Sequence, residues 1–418
     1  MQIRTLNLQS AADALEQVLP MKHPADAVMR EFFSAHRELG SHDRSFVAET
    51  VFAVIRNKRL LEHMMDTPTP RKLVLAALIK IQGVSLGQLE PLLRTRDREW
   101  ATSVRAHDIH SFDEATRLSL PDWLHQRLIR ELSDTAATEF GRAMLNTAPL
   151  DLRVNTLVAS REQALEELAA SGLEAQATTF SPIGIRLAGK PAINRHALFL
   201  KGAVEVQDEG SQLLGYLVSP KRREMVVDFC AGAGGKTLMM GAMMRSQGRL
   251  YALDVSAKRL ANLRLRLKRS GLANVHPQLI DGEADSKIKR LAGKVDRVLV
   301  DAPCSGLGTL RRNPDLKWRQ SPQSVAQLAA KQGAIMAAAA KLLKPGGRLV
   351  YATCSVLQEE NQEVVGRFLN GHSEFEMVDA ASVLSENGIC VDAGKFFELR
   401  PQTHGTDGFF AAILKRHL

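Results

Sequence analysis

Apolar residues change their rhythm twice along this 418-residue chain. Up to about Phe140 they recur at helical spacing. Across 42–65, Phe46, Val47, Val51, Phe52, Val54, Ile55 and Leu60 alternate with Arg44, Glu49, Arg56, Lys58 and Arg59, which predicts an amphipathic helix capped by Ser41 or Asp43. Thr67-Pro68-Thr69-Pro70 breaks the pattern, and further helices are expected over 72–81 and 121–132. From about Asp151 the texture becomes mixed: 152–155, 184–187 and 202–207 read as strands, and 160–170 as a helix stopped by Gly172. From about Gly210, short apolar runs at 225–229, 249–254, 278–281, 297–301 and 348–352 alternate with helical stretches at 237–245, 258–270 and 324–343. Such alternation predicts a doubly wound parallel α/β sheet, with 409–414 pairing antiparallel at one edge. Three domains are expected: all-α over 1–145, a small α+β module over 146–209, and an α/β domain over 210–418.

What stands at the strand ends carries the chemistry, because open α/β sheets bind ligands outside the carboxyl ends of their strands. Two cysteines occupy matching settings, Val300-Asp301-Ala302-Pro303-Cys304-Ser305 and Val350-Tyr351-Ala352-Thr353-Cys354-Ser355. Another strand runs into Asp228-Phe229-Cys230-Ala231-Gly232-Ala233-Gly234-Gly235-Lys236-Thr237, a glycine-rich turn entering a helix.

Three ligands compete for that turn. Gly235-Lys236-Thr237 imitates a P-loop, but Cys230 stands where the first glycine belongs. A dinucleotide fingerprint lacks its third glycine. S-adenosylmethionine fits better: its carboxylate suits backbone N–H groups at a helix N-terminus, and its cationic centres suit nearby acids. Asp228, Asp254, Asp281 and Asp301 are expected at successive strand ends, with Asp254 on the ribose and Asp281 near the adenine. The thiols suggest a cytosine substrate. A thiolate added at C6 makes the ring nucleophilic at C5 toward a methyl sulfonium, and a base must later remove the C5 proton. Lys236 is the candidate cation favouring a thiolate, and Asp301 the candidate contact for the N3/N4 edge.

Charge adds a partner. The net charge of +9 and a pI near 9.5 favour a polyanion such as RNA. Lys221-Arg222-Arg223 and Arg311-Arg312 are the phosphate candidates; Lys258, Arg259, Arg264, Arg266, Lys268 and Arg269 read as a solvated helix face. Trp318 offers either base stacking or core packing. Among Cys230, Cys304, Cys354 and Cys390 no CxxC spacing occurs, which argues against a zinc cage, so no metal is expected. Cys390 reads as a buried free thiol. Without a signal-peptide pattern or a membrane-length apolar run, the chain is expected to be cytoplasmic, membrane-free and monomeric.

Taken together, Asp301-Ala302-Pro303-Cys304-Ser305, Thr353-Cys354-Ser355, Asn313-Pro314-Asp315 with Trp318, Glu359-Glu360-Asn361, Gln207-Asp208-Glu209-Gly210-Ser211 and Asp407-Gly408-Phe409-Phe410 resemble the RNA cytosine-C5 methyltransferases of the Sun/Fmu, 16S rRNA methyltransferase B type, over most of the chain. The resemblance implies a Rossmann-like S-adenosylmethionine methyltransferase domain, a NusB-like helical N-terminus, and RNA, with 16S rRNA favoured over tRNA or 23S rRNA, as substrate. It implies that Cys354 is the nucleophile and Cys304 assists release. It also implies cofactor contacts from Cys230, Ala231, Gly232, Ala233, Gly234, Gly235, Lys236, Asp254, Asp281 and Asp301. Ala233 departs from the family's frequent proline. A non-catalytic RNA-binding assembly factor is the alternative from another class.

Overall fold

The computed structural model describes residues 3–418. The chain divides into two compact units. One runs to Thr147 and takes in Thr309–Pro322; the other comprises Ala148–Gly308 and Gln323–Leu418.

The first unit is helical. Its core gathers Leu8, Leu15, Val47, Val51, Ile55, Leu73 and Leu78. The helix expected over 42–65 is two helices, Ser41–Arg56 and Lys58–Glu62. Asn57 separates them, its side-chain amide donating to the Ala53 carbonyl at 3.0 Å and so competing with the regular ladder. The next helix starts at Pro70, two residues earlier than expected, because Thr69 caps it and proline is suited to a first turn. It runs on as a π-helical turn, Ala77–Ile81.

Thr309–Pro322 is bound into this unit by buried polar contacts. The Lys317 ammonium donates to the Arg56 carbonyl at 2.7 Å, the Trp318 indole N–H donates to the Ile55 carbonyl at 2.9 Å, and Arg56 donates to the Arg311 carbonyl at 2.9 Å. Burial, with Arg56 alongside, holds the Lys317 ammonium well below its usual pKa. Of the two readings of Trp318, core packing is the one observed, and the expectation for Arg311 is corrected. Trp318 does not present a face for a nucleobase: its ring packs on the helical core with the Lys58 and Lys317 ammonium groups 5.1 and 5.2 Å from its centroid. Arg311 is buried, so it is not a surface phosphate contact.

The second unit contains two sheets. The smaller has β1 (Leu150–Val154), β2 (Ala175–Ala177), β3 (Gly184–Leu187) and β4 (Val204–Val206), all antiparallel in the order β2-β3-β1-β4. Period-2 alternation sends Leu152, Val154, Ile185 and Leu187 to one face, against Ala164 and Leu168 of the helix Arg161–Ala170. Between them, Asp151 accepts two hydrogen bonds from Arg186 at 2.7 and 2.9 Å, and Arg153 stands opposite Glu205 in register.

The larger sheet contains β5 (Met225–Asp228), β6 (Arg249–Asp254), β7 (Val275–Leu279), β8 (Val295–Asp301), β9 (Leu343–Thr353), β10 (Phe375–Val378), β11 (Phe397–Leu399) and β12 (Phe409–Arg416). Its order is β10-β12-β9-β8-β5-β6-β7, with β11 also on β12. Strands β5 to β9 are parallel, as the alternation predicts. The expectation that 409–414 forms an edge is corrected: β12 lies between β9 and β10, antiparallel to both. Val227, Val298, Val300, Leu349 and Tyr351 pack on one face with Ile335, Met336, Val364 and Phe368. Val226, Leu299, Val350 and Ala352 pack on the other with Leu213, Leu214, Leu217 and Met240. Strand order reverses between β5 and β8, the switch point at which such sheets open a crevice.

Candidate active site at the carboxyl ends of the strands

The glycine-rich turn leaves β5 at this crevice. Gly232 and Gly234 adopt left-handed backbone angles, φ 56° and 85°. A Cβ on Gly234 would also stand 2.1 Å from a methyl of the buried Leu263, which would have to shift. The turn is pinned on several sides. Gly232 N–H donates to Asp254 Oδ2 at 2.8 Å, Ala231 N–H donates to the Leu253 carbonyl at 2.9 Å, and Ala233 offers its carbonyl to Arg266 at 2.7 Å. Helix Gly235–Met243 follows, and the first N–H groups of any helix lack intrahelical acceptors. Ala233 acts here through its carbonyl.

Three of the four expected acids surround the turn. Asp228 is fully buried; Oδ2 accepts the Thr237 hydroxyl at 2.6 Å, while Oδ1 has no hydrogen-bond partner. Burial pushes its pKa up to about 7, against the Thr237 hydrogen bond and with help from Asp301 and Asp254. Asp254 accepts Gly232 N–H through one oxygen and Ser256 N–H through the other, at 2.8 and 2.7 Å. Asp301 accepts Lys236 at 2.8 Å. Asp281 follows β7, where the preceding Ile280 N–H donates to the Asp254 carbonyl at 3.1 Å. Strand β7 ends at Leu279 rather than 281, and Asp281 is exposed in the following turn, where its N–H donates to Asp285 at 2.9 Å. Cys230 is packed beneath the turn, and burial raises its thiol pKa.

The two motif cysteines meet. Cys304 follows β8, Cys354 follows β9, and their sulfurs lie 3.4 Å apart although 50 residues separate them in sequence. Pairing of β8 with β9 sets their level: Asp301 stands beside Ala352, and Ala302 N–H donates to the Ala352 carbonyl at 2.9 Å. Behind Cys354, Gly308 N–H donates to its carbonyl at 2.9 Å, and Gly408 N–H donates to the Gly308 carbonyl at 2.8 Å. A Cβ on Gly308 would meet the backbone carbonyl oxygens of Cys354 and Gly408 at 2.8 and 2.4 Å, so the site requires glycine at that close approach.

The charges around the two sulfurs differ. Burial opposes the Lys236 ammonium, but Asp301, Cys354 and Asp228 outweigh it and hold its pKa up. Cys304 is pushed well above the ordinary thiol range, first by its hydrogen bond to Cys354, then by burial, and further by Cys354 and Glu360 as negative neighbours. The Lys236 ammonium thus lies within electrostatic reach of Cys354, and the Glu360 carboxylate within reach of Cys304.

Sequence reasoning gave Glu360 and Asn361 a place in the family pattern but no role behind the thiols. Glu360 is fully buried and accepts from Ser305, Ser355 and Gln332. Tyr351 donates to the Glu360 carbonyl, and Thr353 donates to Asn361 at 2.6 Å. The repeated Cys-Ser pair was the available signal. The basic helix is split in role: Arg266 and Arg269 pair with Glu205, while Lys258, Arg259, Arg264 and Lys268 are exposed. Cys390 is exposed rather than buried, which corrects its reading as a core thiol. Among the described residues there is no cluster of metal-ligating side chains, and no helix is long and apolar enough to cross a membrane.

Comparison with known proteins gives concordant matches. The 16S rRNA methyltransferase RsmB/F family matches residues 215–415, and the RsmF/B-like ferredoxin-like domain matches residues 120–194. A probable ribosomal RNA small subunit methyltransferase B of Synechocystis is 33% identical over 90% of this chain and 92% of its own. A crystal structure titled PH0851 superposes with a TM-score of 0.83 at 26% identity, covering 100% of both chains. A methyltransferase homologue from Pyrococcus horikoshii gives a TM-score of 0.63 at 27% identity, covering 74% of this chain and 100% of its own. With its Rossmann-like sheet, its glycine turn and its paired thiols, this chain belongs to the ribosomal RNA small subunit methyltransferase B family.

Proposed function

We propose that this protein is an RNA cytosine-C5 methyltransferase that uses S-adenosylmethionine, with small-subunit rRNA as its substrate, and that it works through a covalent bond between Cys354 and cytosine C6. The observation that carries this reading is the 3.4 Å approach of two thiols with unlike charges beside them.

The residues present suit the cofactor. Asp228 Oδ1 is a buried acceptor without a partner, beside a turn whose helix offers free N–H groups. Each Asp254 oxygen accepts one N–H, with the exposed Arg259 guanidinium also 3.5 Å from Oδ2, and the remaining acceptor capacity suits a ribose diol. The binding segment is Cys230, Ala231, Gly232, Ala233, Gly234, Gly235 and Lys236, with Asp254, Asp301 and, on the resemblance alone, Asp281. When bound, S-adenosylmethionine supplies the electrophilic methyl group that C5 takes up.

The protein's own groups do the remaining work. Lys236 favours the Cys354 thiolate, and the Cys304 S–H steadies it until the target base arrives. Cys354 Sγ bonds to C6, and the ring electrons shift toward C5. The second Asp301 oxygen faces the N3/N4 edge while the first holds Lys236. Once Cys354 is bonded to C6 and is no longer an anion beside it, Cys304 gives its own proton to solvent; after C5 is methylated it takes the C5 proton, the electrons return to the ring, and the Cys354–C6 bond breaks to release the Cys354 thiolate. A base inside an RNA stack must be turned out to reach the sulfur. On the resemblance, the helical unit is a NusB-like RNA-binding accessory. Net charge of +9 suits a polyanionic partner.

The test is transfer of labelled methyl from S-adenosylmethionine to ribosomal RNA, followed by nucleoside mass spectrometry. The proposal requires 5-methylcytidine in small-subunit rRNA. A methylated nucleoside other than 5-methylcytidine would refute it; label confined to tRNA or 23S rRNA would refute its substrate.

A further inference from the structure

We propose that Glu360 is the positioning residue of the two-thiol site: one buried carboxylate holds the serine that follows each cysteine and thereby sets the distance between Cys304 and Cys354. The inference rests on the two-thiol reading above and adds the part that aligns it.

Cys304 and Cys354 end separate strands, and no covalent bond in the fold fixes one sulfur relative to the other. Their following serines are held in common. Ser305 N–H donates to Glu360 Oε1 at 2.8 Å, and both the Ser305 and Ser355 hydroxyls donate to Oε2 at 2.5 Å. The two hydroxyl oxygens lie 3.2 Å apart, repeating one residue later the close approach of the sulfurs. Gln332 joins the same anchor to the first loop, donating to Oε1 at 3.0 Å and to the Pro303 carbonyl at 2.9 Å. The anchor itself is fixed, because Tyr351 within β9 donates to the Glu360 carbonyl and Glu360 N–H donates to the Leu357 carbonyl.

Every contact to the Glu360 side chain comes from a donor. A carboxylate accepts all four: the Ser305 and Gln332 N–H groups on one oxygen and the two serine hydroxyls on the other. Glu360 acts away from solvent and through the two serines rather than on either sulfur. The second serine and the second cysteine cannot move independently of the first pair while this anchor holds.

The experiment measures sulfur proximity separately from methyl transfer. Diamide takes two electrons and two protons from a pair of thiols, joining them as a disulfide and becoming a hydrazine. Its closure of Cys304–Cys354 is followed by mass spectrometry of the linked peptides in the full-length protein. Glu360→Ala is expected to slow closure by about tenfold and to lower kcat for RNA methylation by about 10²-fold, as for a misplacement of roughly 1 Å, with KM and S-adenosylmethionine affinity retained. If Glu360→Ala shows no cooperative melt, the double variant Ser305→Ala/Ser355→Ala keeps the carboxylate, cuts both tethers and carries the same expectation. A folded variant that closes the disulfide at the wild-type rate overturns the proposal, whatever its kcat. Slowed closure in a protein whose wild type methylates no RNA supports the positioning role and refutes the functional reading instead.

Discussion

The Lys236 ammonium stands 2.8 Å from the Asp301 carboxylate, so one ion pair joins the glycine-rich turn to the end of β8. Lys236 has only 12% of its side chain exposed. The pair places a fixed cation within electrostatic reach of Cys354. Lys236→Met keeps the length of the side chain and removes that charge. It is expected to lower kcat by roughly 10²-fold, the scale of losing one preorganised group at a site where charge develops. Steady-state kinetics check this; a kcat within twofold of wild type, about 0.4 kcal/mol, would contradict it.

Asp228 gives the cofactor site a pH signature. Its folded pKa of about 7 lies above the ordinary 3.8, so between those values the folded protein keeps a proton that the unfolded chain has lost. Stability from this group is present at low pH and is lost as pH rises through about 7. Asp228→Asn is expected to flatten that slope in denaturant titrations. A cationic ligand accepted by Oδ1 favours the ionised form, so binding S-adenosylmethionine near pH 6.5 should release protons from wild type. Calorimetry in buffers of different ionisation enthalpy measures the release, which Asp228→Asn should abolish.

Cys304 is kept protonated chiefly by Cys354 and further by Glu360. Replacing Cys354 with Ala removes the largest of those influences. The pH at which Cys304 reacts with iodoacetamide should therefore fall in Cys354→Ala and fall further on adding Glu360→Gln. Peptide-resolved alkylation rates across pH test the order of effects; an upward shift in either variant would contradict it.

Trp318 belongs to the fold of the helical unit, with its N–H on Ile55 and its ring on the core. Trp318→Ala is expected to destabilise the protein by about 3 kcal/mol, at the lower end for a large aromatic because the ring is only partly buried. Chemical denaturation reads this cost. At temperatures where the variant is folded, RNA affinity should stay near wild type, whereas a base-stacking tryptophan would lose affinity without losing stability.

The parallel strands were legible because they are continuous apolar runs closed by turn residues, and Asp254, Asp301, Cys304 and Cys354 follow directly from where those runs end. Strand β2 was not legible: Ala175-Gln176-Ala177 has no apolar alternation and is held by pairing with β3. Strand β11 is three residues long and exists through its pairing with β12. The bounds of β7 were misread because it carries His276, Pro277 and Gln278, which hid its true extent. Glu360 illustrates a different limit. In sequence it is one acid of a Glu-Glu-Asn run, and only the meeting of Ser305 and Ser355 gives that run a target. Trp318 and Arg311 follow Cys304 closely in sequence, yet their surroundings are set by long-range contacts with Ile55 and Arg56.

The covalent role of Cys354 is tested most directly on a denaturing gel. Cys304→Ala retains the attacking sulfur and loses its partner at 3.4 Å. Incubated with ribosomal RNA and S-adenosylmethionine, it should yield a protein–RNA band that survives detergent and heat, and the double variant Cys304→Ala/Cys354→Ala should yield none. Only free protein and free RNA in Cys304→Ala, or a band that persists without Cys354, would contradict the assignment.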